Sequence, residues 1–156
     1  TGGTGSDSLN LNMPRQLPDL YEPASHDIVS ISALNASLSW IIEQSVKKIY
    51  IYKKELTDYA VQRLSELSSV TLFLPENRKN HIAIISLTHT NYRPEELADI
   101  LDNDFDIAVR SGYHCAPYVH KLIGTEDSGG TVRISIGYYN TKNDIDSLIN
   151  ALRELD

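Results

Sequence analysis

Cysteine occurs once in this chain, at Cys115, within the run Arg110-Ser111-Gly112-Tyr113-His114-Cys115-Ala116-Pro117. A strand pattern ends there, a glycine turn follows, and the thiol falls just before a helix that Pro117 opens. A helix start presents free N–H groups and a partial positive charge, which favour a thiolate. Arg110 and His114 stand close enough in sequence to add positive charge. That is the pattern of an activated nucleophile, although a small buried core position is the commonest fate of a lone cysteine. Arg133 lies mid-strand in Thr131–Ile136, beside the Gly129-Gly130 turn and on the same face as Ser135. A strand arginine so placed suits bidentate capture of a carboxylate, and an exposed or ion-paired arginine is the plainer alternative. At the other end, Thr1-Gly2-Gly3-Thr4-Gly5-Ser6 offers backbone N–H groups and the hydroxyls of Thr4 and Ser6 to a phosphate. It lacks the lysine-hydroxyl pair of a P-loop, and a ragged terminus has the same composition. His26, His81, His89 and His120 show no ligand spacing. With His114 and Cys115 they make no zinc pattern, so no metal site is expected and these four read as structural or exposed.

Composition narrows the function classes. The chain has 156 residues, 41% hydrophobic and 22% charged, which suits one globular domain or one with a short extension. One cysteine excludes an intramolecular disulfide framework. The net charge is -7, and Lys and Arg are scattered rather than striped, which argues against nucleic acid. Lys47, Lys48, Lys53 and Lys54 are spaced around a helix and read as a solvated surface. No apolar run approaches the ~20 residues of a membrane span, and Thr1–Asn12 has no signal-peptide core. No membrane partner is expected, and the chain reads as soluble and cytoplasmic. A glycine-rich opening with nothing upstream to support it, and Met13 as the only methionine, read as a piece of a longer protein.

The elements that must hold these residues follow from periodicity. Pro14, Pro18 and Pro23 make segment 7–25 irregular. Ile28, Ile31, Leu34, Leu38 and Ile41 or Ile42 predict a helix capped by Ser25 or Asp27. A second helical stretch covers about 46–67, with Ile49, Leu56, Tyr59 or Ala60, Leu64 and Leu67 as its stripe. The two either bend near Ser45 or run on as one long element linking two domains. Strands are predicted over 70–74, 81–87, 106–110 and 131–136. Helices are predicted over about 94–103, 117–123 and from Thr141 onward. The fold class is α/β (α+β), a sheet of about four strands with three helices, preceded by a long helical segment. The expected divisions are 1–25, an irregular segment; 26–67, linking helices; and 68–156, the α/β domain.

Taken together, the cysteine run and Gly130-Thr131-Val132-Arg133-Ile134-Ser135-Ile136-Gly137-Tyr138-Tyr139-Asn140-Thr141 resemble the C-terminal domain of class V aminotransferases, within fold type I pyridoxal-phosphate enzymes. The likeness is strongest to the cysteine desulfurase and selenocysteine lyase branch, and the opening loop and Met13–Glu22 resemble the stretch leaving that family's large domain. The resemblance implies that Cys115 is the nucleophile that takes sulfur from L-cysteine as a persulfide, leaving L-alanine. It implies Arg133 as the α-carboxylate anchor, with Arg110 and His114 as further substrate-side residues. It places Gly3, Thr4 and Ser6 beside pyridoxal phosphate, Thr4 reaching the cofactor of the other subunit of a homodimer. A sulfur-acceptor protein is a further implied partner. Glu22-Pro23-Ala24-Ser25 stands where the family usually has Glu-Ala-Gly-Thr. No lysine here stands in the family's Schiff-base motif, so this chain is expected to be inactive alone. Two other readings stay open: a different class V activity in which Cys115 is not the nucleophile, and a non-catalytic interaction module that retains the fold.

Overall fold

A computed structural model of the chain describes Gly5, residues 9–22 and residues 24–156. The described part of 9–27 has neither helix nor strand, as its prolines dictate. The chain divides into two compact units, residues 1–46 and 47–156. In the first, α1 (Ile28–Gln44) starts where the Asp27 carboxylate accepts from the Ser30 backbone N–H at 3.0 Å, and it buries none of its residues. The helical stretch is not continuous. Ser45 takes a left-handed φ of 69° and breaks it before α2 (Val46–Leu64), so the break near Ser45 is the alternative the structure adopts.

The second unit is built on a four-stranded antiparallel sheet in the order β1-β2-β4-β3, from β1 (Val70–Phe73), β2 (Ile84–His89), β3 (Arg110–Gly112) and β4 (Thr131–Ser135). Strand side chains alternate between faces. On β2, Ile85, Leu87 and His89 are buried, while Ile84 is exposed and Ser86 and Thr88 are half-buried. The buried side joins a core with Leu56, Ala60, Val61 and Leu64 of α2, Leu97 and Leu101 of α3 (Pro94–Phe105), and Ile145, Leu148, Ile149 and Leu152 of α5 (Lys142–Glu154). Leu56, Ala60 and Leu64 are on the stripe read from the sequence, Val61 joins them from beside it, and Ile49, the first residue of that stripe, is only half-buried. Pro94 opens α3 and Thr141 caps α5 through a capping box with Asp144.

The third strand departs from its predicted position. Residues 106–109 are unpaired, and β3 begins only at Arg110. Asp106 caps α3 in the left-handed conformation, with φ 56° and ψ 33°. The next residues serve to return the chain, and Ile107 and Val109 pack against the core without entering the ladder. Their apolar pattern therefore reports burial and not pairing. The last helix before β4, α4 (Pro117–Ile123), matches its predicted limits and ends at Gly124 with φ 74°.

Candidate active site

The site is assembled by sheet register. Arg110 on β3 lies directly opposite Arg133 on β4, and Arg133 lies opposite Ser86 on β2, which in turn faces Phe73 on β1. Directly opposed residues of an antiparallel pair point to one face, so one row across the sheet carries both guanidinium groups. Like charges so placed repel. Among the described residues neither guanidinium has a carboxylate within salt-bridge distance, and the Arg133 Nε–H is buried with no hydrogen-bond partner. A fold that retains this uncompensated pair holds a place for an anion.

Cys115 stands next to the pair. It is exposed, and Arg110 Nη2 donates toward its Sγ at 3.7 Å. The turn that presents it is strained: His114 has φ 51° and Cys115 has φ 60°, both left-handed and neither glycine. The Ala116 N–H donates to the Tyr113 carbonyl at 2.8 Å and closes the turn. Behind it, β3 and β4 approach so closely that a Cβ on Gly130, with φ +94°, would be driven into the Gly112 carbonyl. Glycine at this position is required sterically as well as conformationally.

His114 departs from the sequence expectation of an added positive charge. Its Nε2 lies 3.1 Å from the Thr131 carbonyl and 3.2 Å from the Thr131 hydroxyl oxygen. A carbonyl only accepts, so Nε2 carries the proton, and Nδ1 is buried without a partner. Burial first, and the Arg133 guanidinium second, push its pKa below the ordinary 6.5. His114 is thus neutral at pH 7 and braces the turn against β4.

A pocket of about 520 Å³ opens between this sheet face and α4. Arg133, His114, Thr131 and Ser86 supply its polar wall; Phe73, Leu74, Val119 and Ile123 supply apolar wall. Cys115 lies in the chain between two of its lining residues, His114 and Ala116. His120, read from the sequence as structural or exposed, is buried and lines the pocket too. Its burial depends on the return of the 125–130 turn, which no local pattern announces. The sequence reading also missed Ser86 and Phe73, because cross-strand register carries no local signal. Gly3, Thr4 and Ser6 lie outside the described residues. His81 and His89 are buried and His26 lies 3.5 Å from Glu22.

The aminotransferase class-V family profile matches residues 1–148. The chain belongs to the class V aminotransferase family. It is 33% identical over 140 residues to a probable cysteine desulfurase of Halalkalibacterium halodurans, covering 90% of this chain and 33% of that protein. It is 30% identical over 139 residues to a probable cysteine desulfurase of Synechocystis, covering 88% and 32%. Among solved structures it resembles the apo cysteine desulfurase of Thermococcus onnurineus, with TM-score 0.79, 30% identity, and coverage of 88% and 33%. The chain spans about a third of the length of the relatives it matches. Class V membership implies pyridoxal phosphate in full-length relatives. The described lining of this class V pocket holds no lysine to bind the coenzyme and no carboxylate to pair with its ring nitrogen, so these residues do not fit that group. What they fit is a small carboxylate beside a thiol.

Proposed function

We propose that this chain is the C-terminal part of a pyridoxal-phosphate-dependent cysteine desulfurase, inactive alone, that supplies the sulfur-accepting thiol and the substrate anchor. The observation that carries this is the unpaired Arg110–Arg133 pair beside the exposed Cys115 sulfur. Arg133 binds the α-carboxylate of L-cysteine, desolvated on one side by the half-buried sheet face. Arg110 orients the Cys115 sulfur. The Cys115 sulfur forms an S–S bond to the substrate sulfur as the substrate Cβ–S bond breaks. The electron pair stays on the substrate carbon, which takes a proton and leaves as L-alanine, and Cys115 retains a persulfide for an acceptor protein. The coenzyme and its lysine are supplied by the rest of the enzyme, and coenzyme binding is the role that the family resemblance implies for Gly3, Thr4 and Ser6 of this chain. The whole enzyme is a cytoplasmic homodimer.

The test is sulfide release from L-cysteine, with a thiol reductant, by the complete enzyme loaded with pyridoxal phosphate. Cys115→Ala is expected to abolish release while leaving coenzyme absorbance intact. Unchanged release would remove Cys115 from the reaction and point to another class V activity.

A further inference from the structure

Buried polar side chains need a reason, and His120 is 3% exposed on a seven-residue helix. Its Nδ1 meets the Thr125 hydroxyl at 2.8 Å. Its ring centroid lies 5.5 Å from that of Tyr113, edge-on, and 5.7 Å from that of His114. Tyr113 and His114 are the two residues that lead into Cys115. Thr125 begins the turn that leads into β4: the Gly130 N–H donates to the Thr125 carbonyl at 2.8 Å, and the Tyr113 hydroxyl donates to the Glu126 carbonyl at 2.9 Å. The imidazole therefore sits between the turn that holds the sulfur and the turn that feeds Arg133. Two consecutive left-handed residues persist only where their surroundings over-determine them.

We infer that His120 is a positioning residue for Cys115: an imidazole pinned by Thr125 and wedged behind Tyr113 and His114, holding the strained turn so that the sulfur stays against Arg110. It touches neither the sulfur nor Arg110 and acts through the turn. The inference deepens the proposed function and rests on Cys115 being the nucleophile, but its test does not need turnover.

Cys115 is the sole cysteine, so iodoacetamide labelling followed by mass spectrometry reads one site. Labelling rates of the folded 156-residue chain are compared for the parent, His120→Ala and His120→Asn, each with and without Arg110→Gln. In the parent, Arg110→Gln is expected to slow labelling about fivefold, the scale of a partly exposed charge contact. In His120→Ala that slowing is expected to vanish, because the sulfur is no longer held against the guanidinium. His120→Asn, whose amide replaces Nδ1 toward Thr125, is expected to restore at least part of it. Equal slowing with and without His120 would overturn the inference, as would no slowing in the parent or no recovery with Asn. Should His120→Ala lose its cooperative melt, Thr125→Val takes its place; it removes the hydrogen bond while keeping the volume, and it is expected to shrink the Arg110 effect likewise. A complete enzyme that releases no sulfide would sink the desulfurase reading and leave this labelling result standing.

Discussion

Arg133 holds one buried, unpartnered N–H and faces a second guanidinium across the ladder, so its charge is costly until an anion arrives. Arg133→Lys keeps the charge but loses the planar fork. It is expected to raise the KM for L-cysteine by about tenfold or more with a smaller change in kcat, since one bidentate contact is worth about 1.5–3 kcal/mol. Steady-state kinetics on the complete enzyme check this, and an unchanged KM would contradict the anchor. Gly130→Ala sets a methyl against the Gly112 carbonyl at a positive φ. It is expected to cost about 3 kcal/mol in urea unfolding, overpacking and backbone strain acting together. At this scale residue type and position beside glycine turns were enough to single out Cys115, Arg110 and Arg133, and the structure brings the three together. The direct opposition of the two arginines was not legible, because register between residues 110–112 and 131–133 is a tertiary fact. The neutrality of His114 was hidden for the same reason, since its burial is set by β4.

Among the elements, α1 and α2 both show helical periodicity in sequence and differ in support. Leu56, Ala60, Val61 and Leu64 lock α2 into the core, whereas α1 buries nothing. Amide hydrogen exchange is expected to be fast throughout α1 and slow from Leu56 to Leu64, because protection follows burial. The helix periodicity of both was readable, but the break between them needed the left-handed Ser45, a conformation that residue type does not predict. Apolar pattern likewise located β1 and β4, but it started β2 three residues early at His81 and placed β3 early, because burial of Ile107 and Val109 mimics pairing. β2 ends in His89, buried on the core side, and burial holds its pKa below 6.5, as it does for His114. Each binds a proton more readily unfolded than folded, so stability is full above about pH 6.5 and falls as pH drops below it. Asp144, whose pKa is lowered chiefly by the Thr141 N–H, loses its contribution only below about 3.8. Urea melts between pH 7.5 and 5 are expected to show the histidine decline, and His89→Gln is expected to flatten it. A pH-independent midpoint would contradict this.

For the whole molecule, the exposed apolar side chains of α1 have consequences. Ile28 is 72% and Ile42 is 77% exposed, with Ile31, Leu34 and Leu38 also open to solvent. Contiguous apolar surface favours association. Sedimentation equilibrium of the 156-residue chain is expected to show apparent mass rising with concentration, and replacing Ile28, Ile31 and Ile42 by serine is expected to suppress the rise. A clean monomer at every concentration would argue otherwise. The opposed arginines also give the molecule a built-in gauge. Their Cα atoms sit one strand apart, about 5 Å, and neither can shift without its neighbour. Any slippage of β3 along β4 would therefore carry Arg110, and the sulfur it contacts, away from Arg133, so the ladder between these two strands is what keeps guanidinium and thiol in step.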